Sequence, residues 1–245
     1  MVSAPNPDFD PKSGVLPGTV ARSSVSAVAR RTLDVVVALA ILLPTSPFLL
    51  LAALGIRLSS PGPVLYRSQR IGQDGKRFAI LKLRTMHAGG PRGSFLVVQD
   101  DARVFALGWF LRKTRIDELP QLLNVLGGQM SLVGPRPRVP EVIERFYTPE
   151  MRRSLAHRPG LTSPGTLYQL TLERAPGSET GLSDEDRYGA ELLPRKVAID
   201  LDYFDRATLR SDLAVIALTA RFLVCRASGR PLDLPPEFTG DLPKT

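Results

Sequence analysis

The sequence predicts an α+β, mainly helical protein in two parts. The first is an N-terminal re-entrant membrane helix hairpin broken at Ser46-Pro47, and the second is a compact cytoplasmic interfacial domain with a short β-hairpin and amphipathic helices. Residues 35–56 contain no charged side chain. Two β-like runs follow, and later segments repeat apolar residues at helical spacing. The alternation of strands and helices that marks a Rossmann-type sheet is missing.

The uncharged run of 22 residues, 35–56, is long enough to cross a bilayer as a straight helix. Pro44 and Pro47 interrupt it, and Pro47 removes a helical hydrogen bond to Leu43, so we expect a kink there. Each half then measures about 15 Å and reaches only the bilayer midplane. Arginines flank the run on both sides, which favours the cytoplasmic face for both ends. The alternative is a single kinked transmembrane anchor, since prolines are common in membrane helices.

Changes in composition divide the chain into four segments. Residues 1–29 are rich in Pro, Ser, Ala and Gly, and we expect them to be a disordered tail. The re-entrant helix follows over residues 30–58, the main domain over residues 59–226 and a C-terminal tail over residues 227–245.

Charge and composition limit the chemistry that is available. The 245 residues carry a net charge of +8, which favours an acidic partner such as anionic lipid, nucleic acid or a phosphorylated substrate. One cysteine and two histidines exclude an intramolecular disulfide and leave too few ligands for a thiolate-rich or histidine-built metal centre. A metal ion, if one is used, would be a hard cation such as magnesium, held by carboxylate and phosphate oxygens.

Short patterns predict the elements of the main domain. Residues 64–67 and 78–84 are expected to pair as a hairpin around the loop at residues 72–75. Arg70, Lys82 and Arg84 make this hairpin a basic platform, and the alternative interpretation of this platform is contact with anionic lipid. Helices are expected over residues 105–113, 140–153 and 213–225, and loops over residues 88–100, 158–165 and 174–190.

Two adjacent carboxylates, Asp117 and Glu118, stand at the mouth of a short apolar helix. Asp117 is expected to cap that helix, and Pro120 then falls in its first turn. Arg112 precedes the pair, and Arg136 follows it on a stiff Gly-Pro-Arg-Pro turn. A carboxylate among phosphate-binding groups can act as a nucleophile on phosphorus or hold a metal ion. The simpler interpretation is ordinary helix capping.

A second acidic cluster, Asp184, Glu185 and Asp186, resembles the Asp-x-Asp metal motif of nucleotide-sugar glycosyltransferases. Three residues are a weak signal, and a solvated loop or helix start explains them better. The sequence contains no P-loop and no Gly-x-Gly-x-x-Gly fingerprint. It also lacks a helix-turn-helix or RNA-binding signature, so we expect no nucleic acid partner.

Several separated motifs together resemble the bacterial sugar transferase family, the monotopic phosphoglycosyl transferases that begin surface-polysaccharide and glycoconjugate assembly. The resemblance runs from about residue 30 to residue 224, and its central segment, residues 111–137, is long and specific. The matching motifs are Arg30-Arg31 with Asp34, Ser46-Pro47, and residues 60–64, 82–86, 111–137 and 158–162. No second apolar block is present, so the resemblance is to the small form of the family, with residues 59–226 as the catalytic domain.

This resemblance implies transfer of a sugar-1-phosphate from a UDP-sugar to polyprenol (undecaprenyl) phosphate, with UMP released and magnesium as the cofactor. Asp117 is implied as the nucleophile on the β-phosphorus and as the residue that meets the metal, and Glu118 as its partner. The cations expected to bind phosphate or substrate are Arg112, Arg136, Lys82, Arg84 and Arg158.

The resemblance also implies a location at the cytoplasmic face of the bacterial inner membrane, with membrane lipid as a partner. It is compatible with a homo-oligomer. One segment departs from the family pattern. Residues 163–169 read Ser-Pro-Gly-Thr-Leu-Tyr-Gln, and we expect this altered loop to touch the nucleotide or the sugar, so no sugar preference is assigned. The alternatives are a catalytically silent membrane-anchored scaffold and a basic protein that binds the membrane surface.

Overall fold

Helices dominate the part of the chain that the computed structural model describes, which comprises residues 24–87, 101–172 and 184–228. The helices are α1 (Ser24–Ser59), α2 (Ala106–Thr114), α3 (Gln121–Leu126), α4 (Pro140–Phe146), α5 (Pro149–Arg152), α6 (Pro164–Leu172), α7 (Asp184–Arg187), α8 (Leu193–Arg206) and α9 (Leu209–Ala227). The strands are β1 (Leu65–Ile71), β2 (Arg77–Leu83), β3 (Ser131–Val133) and β4 (Gly160–Thr162). The mainly helical α+β class is therefore confirmed.

Helix α1 begins at Ser24, six residues before the boundary expected at residue 30, and runs through both prolines. It is long and apolar enough to cross a membrane, judged by length and composition. The expected interruption at Ser46-Pro47 is not seen as a gap in the helix. Pro47 has no N–H to give to the carbonyl of Leu43, and the Ser46 hydroxyl donates to that oxygen instead, at 2.7 Å. The hydroxyl therefore replaces the donor that proline removes.

Both halves of α1 contact the rest of the protein, and Leu42 and Leu49 near its middle pack against two different hydrophobic clusters. Near the start, Arg31 donates to the carbonyl oxygen of Val125 at the end of α3, at 2.6 Å. Near the end, Ile56 is fully buried in a cluster with Leu83 of β2. The large apolar side chains exposed on the stretch between these contacts are Val36, Leu39, Ile41, Leu43, Phe48, Leu50, Leu51 and Leu54.

The predicted hairpin is confirmed, with a first strand that is longer than expected. Strands β1 and β2 pair antiparallel from Leu65 opposite Leu83 to Ile71 opposite Arg77. Asp74 closes the turn in the left-handed region, at φ 55°. Because paired residues share a face, the even-numbered side chains of both strands lie on the same side of the hairpin. Arg70, Phe78 and Lys82 are among the side chains on that face.

A second, parallel pair of strands was not predicted. Ser131 of β3 pairs with Gly160 of β4, and Val133 pairs with Thr162. The backbones cross so closely beside this pair that a Cβ added to Gly160 would lie 2.1 Å from the nitrogen of Gly134. Only glycine fits there, and the contact holds the turn at residues 134–137 against the chain at residues 158–160.

Residues 163–169 do not form the exposed loop that the sequence suggested. Ser163 caps α6, since the N–H of Thr166 donates to its hydroxyl at 3.0 Å, and Pro164 occupies the first helical position. Asp200 of α8 accepts the N–H of Gly165 at 2.8 Å. Ser163 and Leu167 are fully buried. The expectation that this segment lines a substrate site is therefore wrong for these buried side chains.

The other predicted helices are found with adjusted bounds. Helix α2 covers the segment expected at residues 105–113, and α9 contains the one expected at residues 213–225. The helix expected over residues 140–153 is divided into α4 and α5, because Thr148 caps a new helix that starts with Pro149. The predictions for residues 1–23, 88–100, 174–183 and 229–245 lie outside the described residues.

Candidate active site

Asp117 and Glu118 lie in a single 3-10 turn, Ile116–Glu118, that connects α2 to α3. The turn begins where Arg115 adopts a left-handed conformation, at φ 60°, and ends α2. Asp117 does not cap α3 as expected. The residue that precedes α3 is Pro120, and no side chain caps it. Leu119 and Pro120 already have helical dihedral angles, so the turn directs Asp117 into the protein instead.

Asp117 is a buried carboxylate with an unsatisfied oxygen. The residue is 8% exposed, and its Oδ1 has no hydrogen-bond partner. Burial, together with the neighbouring charge of Glu118, raises the pKa of Asp117 to about 6, although Lys82 and Arg112 oppose the shift. A buried polar atom without a partner costs free energy, and such atoms concentrate where a ligand or a reacting group completes the site.

Glu118 is in the opposite state. Its Oε1 accepts from Lys82 Nζ at 2.8 Å, from Arg136 Nη2 at 3.2 Å and from Arg115 Nη1 at 3.4 Å. Burial alone would raise the pKa of Glu118, but these three cations together hold it well below its usual value. Glu118 is thus a fixed anion that gathers cations from β2, from the turn at residues 134–137 and from the end of α2. Two adjacent carboxyl groups with pKa values driven apart are typical of divided catalytic roles.

Arg112 belongs to the same site. It is on the last turn of α2, its charge favours the ionised form of Asp117, and its Nη1 donates to Thr85 Oγ1 at 3.3 Å. The structure thus brings together five of the seven residues expected to act on the substrate: Asp117, Glu118, Arg112, Lys82 and Arg136.

Arg84 binds the turn that follows α1 and not the carboxylate pair. Its guanidinium donates to the carbonyl oxygen of Ser60 at 2.6 Å and to that of Pro63 at 2.6 Å, and further bonds reach Ser60 Oγ and the carbonyl of Pro61. The residue is buried, so these bonds fix the turn that follows α1. The expectation that Arg84 binds substrate is not supported, because its nitrogens are already used.

Arg158 acts on a different carboxylate. Its charge acts on Asp34 of α1, whose pKa is raised by burial and lowered in part by the N–H of Leu132. Asp34 accepts that N–H at 2.8 Å and the Ser131 hydroxyl at 2.8 Å. The cluster therefore docks α1 onto β3, and a contact of Arg158 with substrate remains a prediction.

The second acidic cluster does not form a comparable site. Arg145 pairs with Asp186 at 2.6 Å and with Glu185 at 3.5 Å, on an exposed surface. Among the side chains that the structure describes, which do not include that of Asp184, no group of three or more His, Cys, Asp or Glu residues is arranged to hold a metal ion. The glycosyltransferase interpretation of Asp184 and Asp186 thus gains no support from the described residues.

Asp117 offers one carboxylate oxygen that could bind magnesium. Oδ1 of Asp117 is the carboxylate oxygen without a partner, whereas Glu118 is occupied by three cations. Magnesium commonly takes one or two carboxylates and completes its shell with water and substrate phosphates. The donor set present is that of an ion shared with a phosphorylated substrate.

One residue that supports the site, Asn124, was missed. Asn124 of α3 accepts the N–H of Leu81 at 3.0 Å and donates to the carbonyl of Ala79 at 2.8 Å, which sets α3 against β2. A polar residue within the apolar stripe of a short helix was the available signal. Arg70 of β1 was predicted as part of the basic platform but not as a site residue, and the charges of Glu118 and Arg136 act on it.

The fold and the site together define a transferase class. Residues 25–226 match the bacterial sugar transferase family, and the chain belongs to that family.

Three relatives show the range of the match. The UDP-glucose:undecaprenyl-phosphate glucose-1-phosphate transferase of Caulobacter vibrioides is 44% identical over 200 residues, which cover 80% of this chain and 69% of the relative. A protein of the same name in Escherichia coli is 36% identical over 198 residues, covering 80% of this chain and 40% of the relative. The exopolysaccharide production protein ExoY of Sinorhizobium fredii is 33% identical over 221 residues, covering 84% and 89%. The chain thus spans less than half of the Escherichia coli relative.

Proposed function

We propose that this chain transfers a sugar-1-phosphate from a UDP-sugar to polyprenol (undecaprenyl) phosphate, giving polyprenyl diphosphate-sugar and UMP. The reaction would begin the assembly of an exopolysaccharide, capsule, O-antigen or glycoprotein glycan. Family membership and the activities named for the relatives support the reaction class. The observation that carries the proposal is the buried Asp117 carboxylate, with one oxygen unpartnered, in a site of fixed cations.

In the first step, a carboxylate oxygen of Asp117 attacks the β-phosphorus of the donor. A bond forms between that oxygen and phosphorus, the bond from the β-phosphorus to the bridging oxygen breaks, and UMP leaves with the electron pair. Asp117 then carries the sugar phosphate covalently. Two displacements suit two large substrates that use one site in turn. Arg112 and Arg136 offset the charge on the phosphate oxygens as it moves.

In the second step, a phosphate oxygen of the polyprenyl acceptor attacks the same phosphorus. The acyl phosphate bond breaks, the Asp117 carboxylate is restored, and the diphosphate product leaves. Glu118 holds Lys82 and Arg136 in place through both steps, since its Oε1 accepts from Lys82 Nζ at 2.8 Å and from Arg136 Nη2 at 3.2 Å. Magnesium, when bound through Asp117, would supply positive charge next to the phosphate oxygens.

We place the site at the cytoplasmic face of the inner membrane, with α1 as a re-entrant hairpin. A straight helix would separate Arg31 from Ile56 by about 38 Å. Both residues contact one domain, since Arg31 donates to Val125 of α3, Ile56 packs with Leu83 of β2, and α3 packs on β2. This supports the proposal that both ends of α1 lie on the same side of the membrane. The exposed apolar middle of α1 supports a location in lipid.

Release of UMP tests the reaction and identifies the donor. The full chain, purified in membrane nanodiscs with magnesium and undecaprenyl phosphate, is mixed with a panel of UDP-sugars. We expect UMP from one donor, none from Asp117→Asn, and undiminished release from the control Asp186→Asn, which alters an exposed carboxylate of the other acidic cluster.

Other outcomes reject the proposal. Turnover that survives in Asp117→Asn would remove this residue from the role of nucleophile. Absence of release with every UDP-sugar, in a folded chain, would favour the catalytically silent scaffold.

A further inference from the structure

Arg70 lies at the end of β1, one residue before the point where this strand meets the turn after β3. The N–H of Ile71 donates to the carbonyl of Arg138 at 2.9 Å, which fixes that junction. Arg70 is opposite Phe78 in the hairpin, on the face that also carries Lys82. The backbone therefore presents Arg70 toward the carboxylate pair and toward the turn that carries Arg136.

The guanidinium of Arg70 has no acceptor among the described residues. Its Nε is buried without a hydrogen-bond partner. Glu118 is the carboxylate that acts favourably on it, and that carboxylate already accepts from Lys82 and Arg136. Burial and the charges of Arg136 and Arg138 lower the pKa of Arg70 to about 10. The protein thus holds a desolvated cation among other cations, an arrangement that costs stability unless an anion completes it.

Arg138, directly after the turn at residues 134–137, also has a guanidinium that is only partly satisfied. Its Nη1 donates to the hydroxyl of Tyr188, its guanidinium stands 5.8 Å from that ring, and its Nε is buried without a partner. A shallow depression that opens to solvent is lined by Arg136 and Arg138. Arg70 and Arg138 each keep a buried Nε without an acceptor, and the depression opens beside Arg138.

We propose that Arg70 and Arg138 bind the phosphate of the nucleoside monophosphate half of the donor, the group that leaves as UMP. This inference rests on the proposed function. Arg136 connects the two regions, because it donates to Glu118 and also acts on Arg70. A diphosphate whose sugar-bearing phosphorus lies at Asp117 would extend past Arg136. Its second phosphate would then bind the guanidinium groups of Arg70 and Arg138. Charge-assisted bonds from guanidinium to phosphate are strong and directional.

Direct binding tests the inference without turnover. Isothermal titration of the full chain in nanodiscs would compare UMP with uridine, which lacks the phosphate. We expect UMP to bind more tightly than uridine to the wild type, and Arg70→Gln to weaken UMP by at least about tenfold with uridine affinity unchanged. The matched control is Arg67→Gln, which removes an exposed arginine from the opposite face of the same strand. It should leave both affinities unchanged.

The other outcomes overturn the inference. If Arg70→Gln weakens UMP and uridine equally, Arg70 shapes the fold and does not bind phosphate. If UMP binding is unchanged but the KM for undecaprenyl phosphate rises, the anion is the phosphate of the acceptor. A wild type that does not bind UMP also rejects the inference. A chain that binds UMP through Arg70 but releases none from any donor would reject the proposed function alone.

Discussion

Two neighbouring carboxylates carry the chemistry of this protein, and the environment separates them. Asp117 is buried beside the charge of Glu118 and retains an oxygen without a partner. Glu118 accepts from three cations through one oxygen. At neutral pH both are ionised, but Asp117 is the less stabilised anion and therefore the better nucleophile.

The activity should depend on pH through Asp117. Because burial and Glu118 raise the pKa of Asp117 to about 6, the carboxylate becomes protonated below that pH and cannot attack phosphorus. We expect kcat/KM for the donor to reach a plateau above pH 6 and to fall about tenfold for each pH unit below it. Glu118 stays ionised across this range, since its pKa lies well below its usual value. A profile that is flat through pH 6 would contradict the assignment.

Asp117→Asn should stabilise the fold while it removes activity. A folded pKa near 6 against the ordinary 3.8 means that the folded chain binds more protons between these values. Stability contributed by this group therefore falls as pH rises from about 4 to about 6 and remains lost above. We expect the variant to be more stable at neutral pH by at most about 3 kcal/mol, with the gain absent near pH 4.

Denaturant unfolding at both pH values measures this gain. An unfolding free energy at neutral pH that is equal to or below that of the wild type would show that the fold does not strain this carboxylate.

At the scale of elements, α8 holds α6 in place through a buried charge. Asp200 accepts the N–H of Gly165 at 2.8 Å and the hydroxyl of Ser163 at 3.2 Å. Burial raises the pKa of Asp200 to about 6, although those bonds and the charge of Lys196 oppose the shift. Lys196 is itself 1% exposed. The junction thus depends on a carboxylate that the core surrounds.

Removing that carboxylate should be costly. We expect Asp200→Ala to destabilise the chain by about 1–3 kcal/mol, because it leaves the buried N–H of Gly165 without its acceptor. The control Asp202→Ala, two residues away on an exposed surface, should change stability by about 0.5 kcal/mol or less. Thermal unfolding of both variants would decide, and equal midpoints would contradict this account of the junction.

Helix α1 makes a separate prediction about topology. With Cys225 replaced by serine, single cysteines are introduced at Val28 and Leu58, which are exposed near the two ends of α1. A re-entrant hairpin predicts that an impermeant maleimide labels both sites from the cytoplasmic side and neither from outside. Labelling of one site from each side would establish a spanning anchor.

At the scale of the whole molecule, local sequence patterns predicted the elements whose structure depends on residues that are close in sequence. The β1–β2 hairpin, α2 and α9 followed from alternation and helical spacing. The β3–β4 pair was missed because three-residue strands show no periodicity and their partner lies far along the chain. Proximity of Asp117, Glu118 and the basic motifs was inferred from their resemblance to a family, and the geometry brings most of them together.

The surroundings of Arg84 and Ser163 differ from the sequence-based expectation because of contacts with residues that are distant in sequence. Arg84 carries the same charge as Lys82, yet the turn after α1 occupies every nitrogen of its guanidinium. Ser163 resembles a loop residue until Asp200 of α8 completes the start of α6. Neither partner is near in sequence, so no local pattern could have supplied it.

The covalent intermediate is the central claim, and intact-protein mass spectrometry tests it most directly. The full chain is mixed with its UDP-sugar and magnesium, without acceptor, and its mass is measured. The account predicts an increase equal to one sugar phosphate, which disappears on addition of undecaprenyl phosphate and is absent from Asp117→Asn. An active enzyme that never gains this mass, or that gains it in Asp117→Asn, would contradict the account.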